Sequence, residues 1–477
     1  MLPASWPART ASVVYTCNVA ALSDTITSAV ASTIDRPNNF VATGNDCSLT
    51  VNAAPLRRRQ RQQAVDPNAV PPPPQAAPLR RRRQQAVDRN SVPPSPVAVA
   101  SGECVPPLFY ADDQALLATT PAGLRFQLGY LESYCAAWGL TVNTKKTQVV
   151  VYTTGRAAAT EERFRYGGNE VETVPTFRYL GVHLHCRQAF ASAASYRAEA
   201  GRRAMHLLRR RLAENGLQDP LLSMRAFKSY VLSTLSYGAE IWAPQLILQG
   251  RTACERVQLE YLRGLLGLRD STPALIVLAE TGQLPLPAYW TLQVARFVSN
   301  LQAMGGERVA RLAMLDSVAL AADTDTGLPL ARQPWAAQVS RVLAAAGAPC
   351  DLTADEGVAI PELAEALLER HVASYTHASV KVQRYIEDVW GGSISAEAYT
   401  PASFLCDVPE RRRRVRLAQW RTGSHWMAEE TGRWQRLDRT QRPCPHCQAP
   451  LEDVRHAVYD CPLYAGLREE YASRHLL

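Results

Sequence analysis

The sequence predicts an α+β protein: a small sheet, then a long helical block, then a small metal-binding end. Three observations carry this. The run Leu108-Phe109-Tyr110-Ala111-Asp112-Asp113-Gln114-Ala115-Leu116-Leu117 sets two apolar segments around adjacent carboxylates, the pattern of a hairpin with an acidic tip. Apolar residues then recur at helical spacing through much of 187–404. Near the end, Cys444, Cys447, His456 and Cys461 follow C-x2-C-x8-H-x4-C, the donor set of a closed tetrahedral Zn²⁺ site.

Residues 1–104 are expected to lie largely outside a core. The first fifty are rich in Ser, Thr and Ala with few charges, a composition shared by transit peptides and by non-coding sequence read through as coding. From 55 to 96 the chain is duplicated: Pro55-Leu56-Arg57-Arg58-Arg59 recurs as Pro78-Leu79-Arg80-Arg81-Arg82, with Pro71 to Pro74 between the copies. Such a tract predicts disorder. Its arginines suit loose contact with RNA or DNA, or nuclear import, and equally a solvated linker. All but four of the 52 basic residues are arginines, and the net charge is +8. Arginine forks onto phosphates and stacks on bases, so the composition favours a nucleic-acid partner. No apolar run reaches membrane-spanning length, so no membrane partner is expected. The cysteines outside the final cluster show no spacing, as in a reducing compartment, nuclear or cytoplasmic.

Residues 105–186 read as the sheet. Leu108–Ala111 and Ala115–Ala118 are its first strands, and Asp112 and Asp113 sit at the tip. Adjacent carboxylates repel unless cations or hydrogen bonds compensate. A pair of Mg²⁺ ions about 3.5–4 Å apart is one solution, and a solvated turn is the other. Thr120-Pro121 opens a helix carrying Leu124, Leu128, Leu131, Cys135 and Trp138 on one face, and Gly139 closes it. Strand Gln148–Tyr152 follows, with another strand signal at 177–182.

Residues 187–304 form a first helical block. A helix over Ala191–Leu212 carries Arg202, Arg203, Arg209 and Arg210 opposite Met205, Leu208 and Leu212, and a second runs from Leu221 to Tyr237. Thr272-Pro273 starts another that Gly282 ends. These arginines suit phosphates, or simply a solvated face. Residues 305–404 read as a helical connector. From 405 to 477, Arg411, Arg412, Arg413 and Arg414 lead a basic segment interleaved with Trp420, Trp426 and Trp434, either platforms for bases or a small core. So few apolar residues predict that Zn²⁺ carries the folding from Arg411 onward, with His456 rather than His446 as ligand.

Taken in order, these motifs resemble the C-terminal part of a reverse transcriptase of the non-LTR retrotransposon type. Phe109 to Asp113 is similar to the metal-binding hairpin. Trp138-Gly139-Leu140 with Asn143, Lys146 and Thr147 is similar to the lysine motif, and Phe177, Tyr179, Leu180 and Gly181 to the primer grip. The likeness extends through Ser233 to Trp242 and the Cys/His cluster. It implies a partial palm over 105–186, a thumb over 187–304, a connector over 305–404 and a zinc knuckle over 405–477. It further implies Mg²⁺ at Asp112 and Asp113, Lys146 as acid or charge neutraliser for the leaving pyrophosphate, and an RNA template with a DNA primer or target as partners. The chemistry needs a third carboxylate on a strand beside the hairpin. Asp24 and Asp35 do not lie in a convincing strand, and no fingers segment is evident before residue 105. The expectation is therefore a truncated, inactive RNA-directed DNA polymerase. The alternative is a non-catalytic nucleic-acid-binding remnant that acts through its thumb arginines and knuckle.

Overall fold

The computed structural model describes residues 13–21, 107–152, 162–187, 190–322 and 328–475. The duplicated arginine tract, Asp24 and Asp35 lie outside them. The seven-stranded sheet begins with β1 (Val13–Ala21), β2 (Leu108–Tyr110) and β3 (Asp113–Ala118), continues with β4 (Leu140–Val142) and β5 (Gln148–Val151), and ends with β6 (Phe164–Tyr166) and β7 (Asn169–Thr173). Its order is β2-β3-β1-β5-β7-β6, with β4 also paired to β1. Pairing is antiparallel except between β5 and β7. Strand β1 is a finding beyond the expected sheet. It comes from the segment read as non-core, yet it fills the gap between β3 and β5.

Helix α1 (Pro121–Trp138) covers the sheet. The Thr120 side chain accepts the Gly123 N–H at 3.0 Å, and Gly139 ends the helix in the left-handed conformation. Leu124, Leu128, Leu131 and Cys135 pack against Leu116, Val149, Phe164 and Val171. Trp138 does not join them. It stands exposed at the last turn. The strand signal at 177–182 forms a two-stranded hairpin, β8 (Thr176–Tyr179) and β9 (Val182–His185), as the primer-grip resemblance implies. Leu180 and Gly181 make its turn with φ of 45° and 82°. Two positive φ values in a row match the right-handed twist of the flanking strands.

The helical block opens with α2 (Ala191–Glu214) and α3 (Pro220–Ala226). The helix expected over 221–237 runs without interruption from Pro220 to Leu235, with a π-helical stretch, Phe227–Leu232, between α3 and α4 (Ser233–Leu235); α5 (Ala239–Trp242) follows. The wider turns bring Val231 and Leu235 onto α2, where Gly201 leaves no room for a Cβ beside Leu235. Helices α6 (Ala253–Leu266), α7 (Ala274–Thr281) and α8 (Leu286–Gln302) complete the core, with Trp242 and Trp290 edge to face at 4.9 Å. Thr272 does not cap α7. Its hydroxyl is buried and bonded to that of Ser424 at 2.7 Å.

The connector comprises α9 (Val309–Ala322), α10 (Trp335–Ala345), α11 (Ile360–Ala373) and α12 (Val380–Trp390). After α13 (Phe404–Asp407) and α14 (Arg411–Arg421) come α15 (Ala428–Trp434) and α16 (Ala465–His475). Phe404, Leu405 and Ala418 belong to the core of the first helical block. Helix α14 therefore has apolar support besides any metal. Among the described residues no helix is long and apolar enough to cross a membrane.

Candidate functional site

The acidic hairpin forms as its sequence implies. Asp112 is exposed in the turn and Asp113 is the first residue of β3, opposite Tyr110. Ala111 adopts φ 53°, an uncommon conformation for a residue with a Cβ, directly before the pair. On the other side of β3, Asn18 of β1 is in register with Asp113. Hairpin β8–β9 lies beside this tip. Burial pushes the Tyr179 hydroxyl pKa above its ordinary value, and the Asp113 carboxylate adds to the effect. Lys146 is exposed between β4 and β5, where its amide donates to the Asn143 carbonyl at 3.1 Å.

Two aromatic residues and one arginine hold the β8–β9 turn. Tyr237 donates its hydroxyl to the Leu180 carbonyl at 2.9 Å. Arg197 donates to the Gly181 carbonyl and lies over the Tyr196 and Tyr237 rings, 5.3 and 4.7 Å from their centroids. Nothing in the sequence pattern signals this role of Arg197, which lies on the same helix as Arg202 and Arg203. Phe177, Tyr179, Leu180 and Gly181 are thus fixed to the helical block through the backbone of their own turn.

The other arginines divide. Arg203, Arg210, Arg411 and Arg412 are exposed, and Arg413 pairs with Glu410 at 2.8 Å. Arg202 pairs with Glu260 at 3.5 Å, and Arg210 lies 3.7 Å from Glu214. Two depart from the expected outward role. Arg209 donates to the Glu260 carbonyl at 2.8 Å and lies over Tyr261. Arg414 is buried and donates to the carbonyls of Val408, Pro409 and Gln218 at 2.8, 2.7 and 2.6 Å. Arg209 thus ties α2 to α6, and Arg414 ties the start of α14 to the loop after α2, instead of facing outward.

Trp420, Trp426 and Trp434 are exposed and do not form a small core. Trp426 and Trp434 meet edge to face at 5.4 Å, and the Arg269 guanidinium lies 4.2 and 4.5 Å from their centroids. Arg269 also donates to the His425 carbonyl at 2.6 Å. The pair grips the loop after α6. Beneath it, Glu430 takes Lys381 at 3.0 Å and Arg433 at 2.8 Å, while Glu429 takes Arg384 at 2.9 Å.

Among the described residues Cys444, Cys447, His456 and Cys461 offer ligand atoms that all lie within 4.8 Å of one another. The Cys444 and Cys461 sulfurs are 4.0 Å apart, and Cys447 Sγ is 3.2 Å from His456 Nε2. Zn–S bonds of about 2.3 Å at the tetrahedral angle place sulfurs about 3.8 Å apart, so this donor set fits Zn²⁺. The loop is shaped for it. Cys444 N–H donates to the Ala449 carbonyl at 2.8 Å and Gln448 N–H to the Cys444 carbonyl at 2.9 Å, with Gln448 at φ 63°. Burial raises the Cys444 thiol, but the amides of Cys447 and His446 outweigh it with other donors and bring the pKa down to about 7. Asp453 accepts the His456 backbone N–H at 2.8 Å. Glu452 instead accepts the Ala428 N–H at 2.7 Å and so caps α15.

No family model matches the chain. Over 172 residues it is 26% identical to an uncharacterized transposon-derived protein of Caenorhabditis elegans, a stretch that covers 35% of this chain and 59% of that protein. The chain thus spans less than two thirds of the relative it matches, and the similarity points to an origin in a transposable element.

Proposed function

We propose that this chain is a reverse-transcriptase-derived nucleic-acid-binding protein that keeps a palm-like sheet, a thumb-like helical block and a zinc knuckle but does not perform nucleotidyl transfer. The observation that carries this reading is the register of Asn18 with Asp113. A two-metal cage needs a third carboxylate on the strand beside the acidic hairpin, and the residue in register there is Asn18 rather than an acid. Two carboxylates bring half the negative charge needed to neutralise two Mg²⁺ ions. Among the described residues no third carboxylate joins Asp112 and Asp113 in a metal-binding group. Binding then rests on the exposed arginines Arg203, Arg210, Arg411 and Arg412, which meet phosphates without reading sequence. Zn²⁺ at Cys444, Cys447, His456 and Cys461 holds the knuckle closed and leaves no open coordination position for chemistry.

The test is primer extension on an RNA template with Mg²⁺. The purified chain is expected to extend nothing. Template-dependent incorporation that disappears in Asp112→Asn would falsify the reading. As a complement, Asn18→Asp is expected to tighten Mg²⁺ binding by roughly tenfold, about 1.4 kcal/mol, as measured by calorimetry. An unchanged affinity would remove Asn18 from the argument.

A further inference from the structure

Helix α1 breaks the usual rule for a surface helix. Its inner face is apolar because it lies on the sheet. Its outer face should then be charged, and it is not. Phe126, Tyr130, Tyr134 and Trp138 recur every four residues and are 56%, 70%, 45% and 64% exposed. Beside that row runs a second one of small residues, Gly129, Ser133 and Ala137, also exposed. The only charged side chains of the helix are spent at its flank. Arg125 pairs with Glu162, and the Glu132 carboxylate accepts the Gly167 N–H at 3.3 Å. The Ser133 hydroxyl donates to the Gly129 carbonyl at 3.0 Å, so burying it leaves no new polar group unsatisfied.

We infer that this face of α1 is the contact surface of a symmetric dimer with a second copy of the chain. The two rows are self-complementary. In a two-fold pairing the aromatic ridge of each helix enters the groove that the small residues of the other leave open, a ridge-in-groove packing of rows four residues apart. A Cβ at Gly129 meets no atom of the described residues within 4 Å, so none of them fills the groove. The area suffices. Aromatic side chains of about 150–250 Å² each, exposed to this degree, present on the order of 500 Å² per copy. A symmetric pair then buries about 1,000 Å² from these four residues alone, the size at which specific interfaces begin. A heterologous partner would have no reason to match both rows at the same four-residue repeat, whereas a second α1 does so by symmetry.

The experiment is sedimentation equilibrium of the full chain from low to high micromolar concentration, in high salt to strip nucleic acid. A concentration-dependent dimer is expected. Tyr130→Glu with Tyr134→Glu should return the monomer mass at every concentration, with unchanged circular dichroism. Gly129→Arg supplies the control against misfolding. It favours the helix, touches nothing in the monomer and fills the groove, so it should abolish the dimer with the melting temperature kept or raised. A wild-type monomer throughout the range would overturn the inference, as would a dimer that survives either variant. A monomer throughout is also the result if another part of the chain or a different protein covers the face.

Discussion

The acidic hairpin and the Cys/His cluster are both donor sets held on tight turns, and they end differently. The cluster brings four ligands to within 4.8 Å of one another from a span of eighteen residues, two on one turn and two at the ends of a short π-helical stretch. The hairpin brings two carboxylates, and on the function proposed above a third would have to come from a strand far away in sequence, where the residue in register is Asn18. A site assembled locally stays whole as long as its loop does. A site that draws on a distant strand fails when one position there changes. The contrast also separates roles. The local site suits structure, and the distributed one suits chemistry that needs several elements to converge.

The largest expected effect lies at the complete site. His456→Ala in the full chain should lose the one equivalent of zinc expected by metal analysis, while His446→Ala should keep it. Structural zinc contributes on the order of 10–16 kcal/mol in small peptides, so loss should unfold the knuckle. Helix α14 should survive, because Ala418 is packed into the first helical block. Hydrogen exchange that shows α14 unprotected after chelation would mean that the metal holds that helix too.

A second histidine sharpens the contrast from the other side. His371 is buried in the connector with Nε2 2.8 Å from the Tyr399 hydroxyl and 3.4 Å from that of Tyr375. Burial brings its pKa down to about 4. The unfolded chain takes up the proton near pH 6.5, so stability falls as pH drops from about 6.5 toward 4 and then levels off. The slope in that window is about 1.4 kcal/mol per pH unit at most. Thermal melts of wild type and His371→Gln at pH 7 and 4.5 should differ in their pH dependence. Parallel losses in both proteins would show that other groups set it.

The smallest effects separate the arginines. Arg203→Ala and Arg411→Ala should each lower the slope of log affinity for duplex DNA against log salt by about one unit, without loss of stability. Arg414→Ala should leave that slope unchanged and lower the melting temperature, since three carbonyls lose their donor. If Arg414→Ala moves the slope, its side chain reaches phosphate after all.

What the sequence made legible follows the same division. The α1 boundaries could be read from Thr120, Pro121 and Gly139 because caps act within one turn. The Cys/His cluster could be read because spacing encodes it. Strand β1 could not. Its evidence lies in pairing with β3 and β5, and no pattern in Val13–Ala21 names its partners. Nor could Arg414 be told from Arg411 to Arg413, because in a run of identical residues only the packing decides which one faces inward. The π-helical stretch within the 221–237 helix likewise reflects the fit to α2 at Gly201, a tertiary demand invisible to periodicity.

The position of β1 also bears on the order in which the chain folds. Hairpin β2–β3, helix α1 and strand β5 are neighbours in sequence and can assemble early, but the middle of their sheet stays open until β1 arrives across more than eighty residues. Closing so long a loop adds entropy cost only slowly with length, yet it delays the pairing. Until then β3 and β5 face each other as two unpaired edges, each a template for a strand from another molecule. The last strand to arrive is thus the one that shields this sheet from intermolecular β-pairing, and a peptide spanning Val13–Ala21 supplied in trans should restore folding to a chain that begins at Pro107.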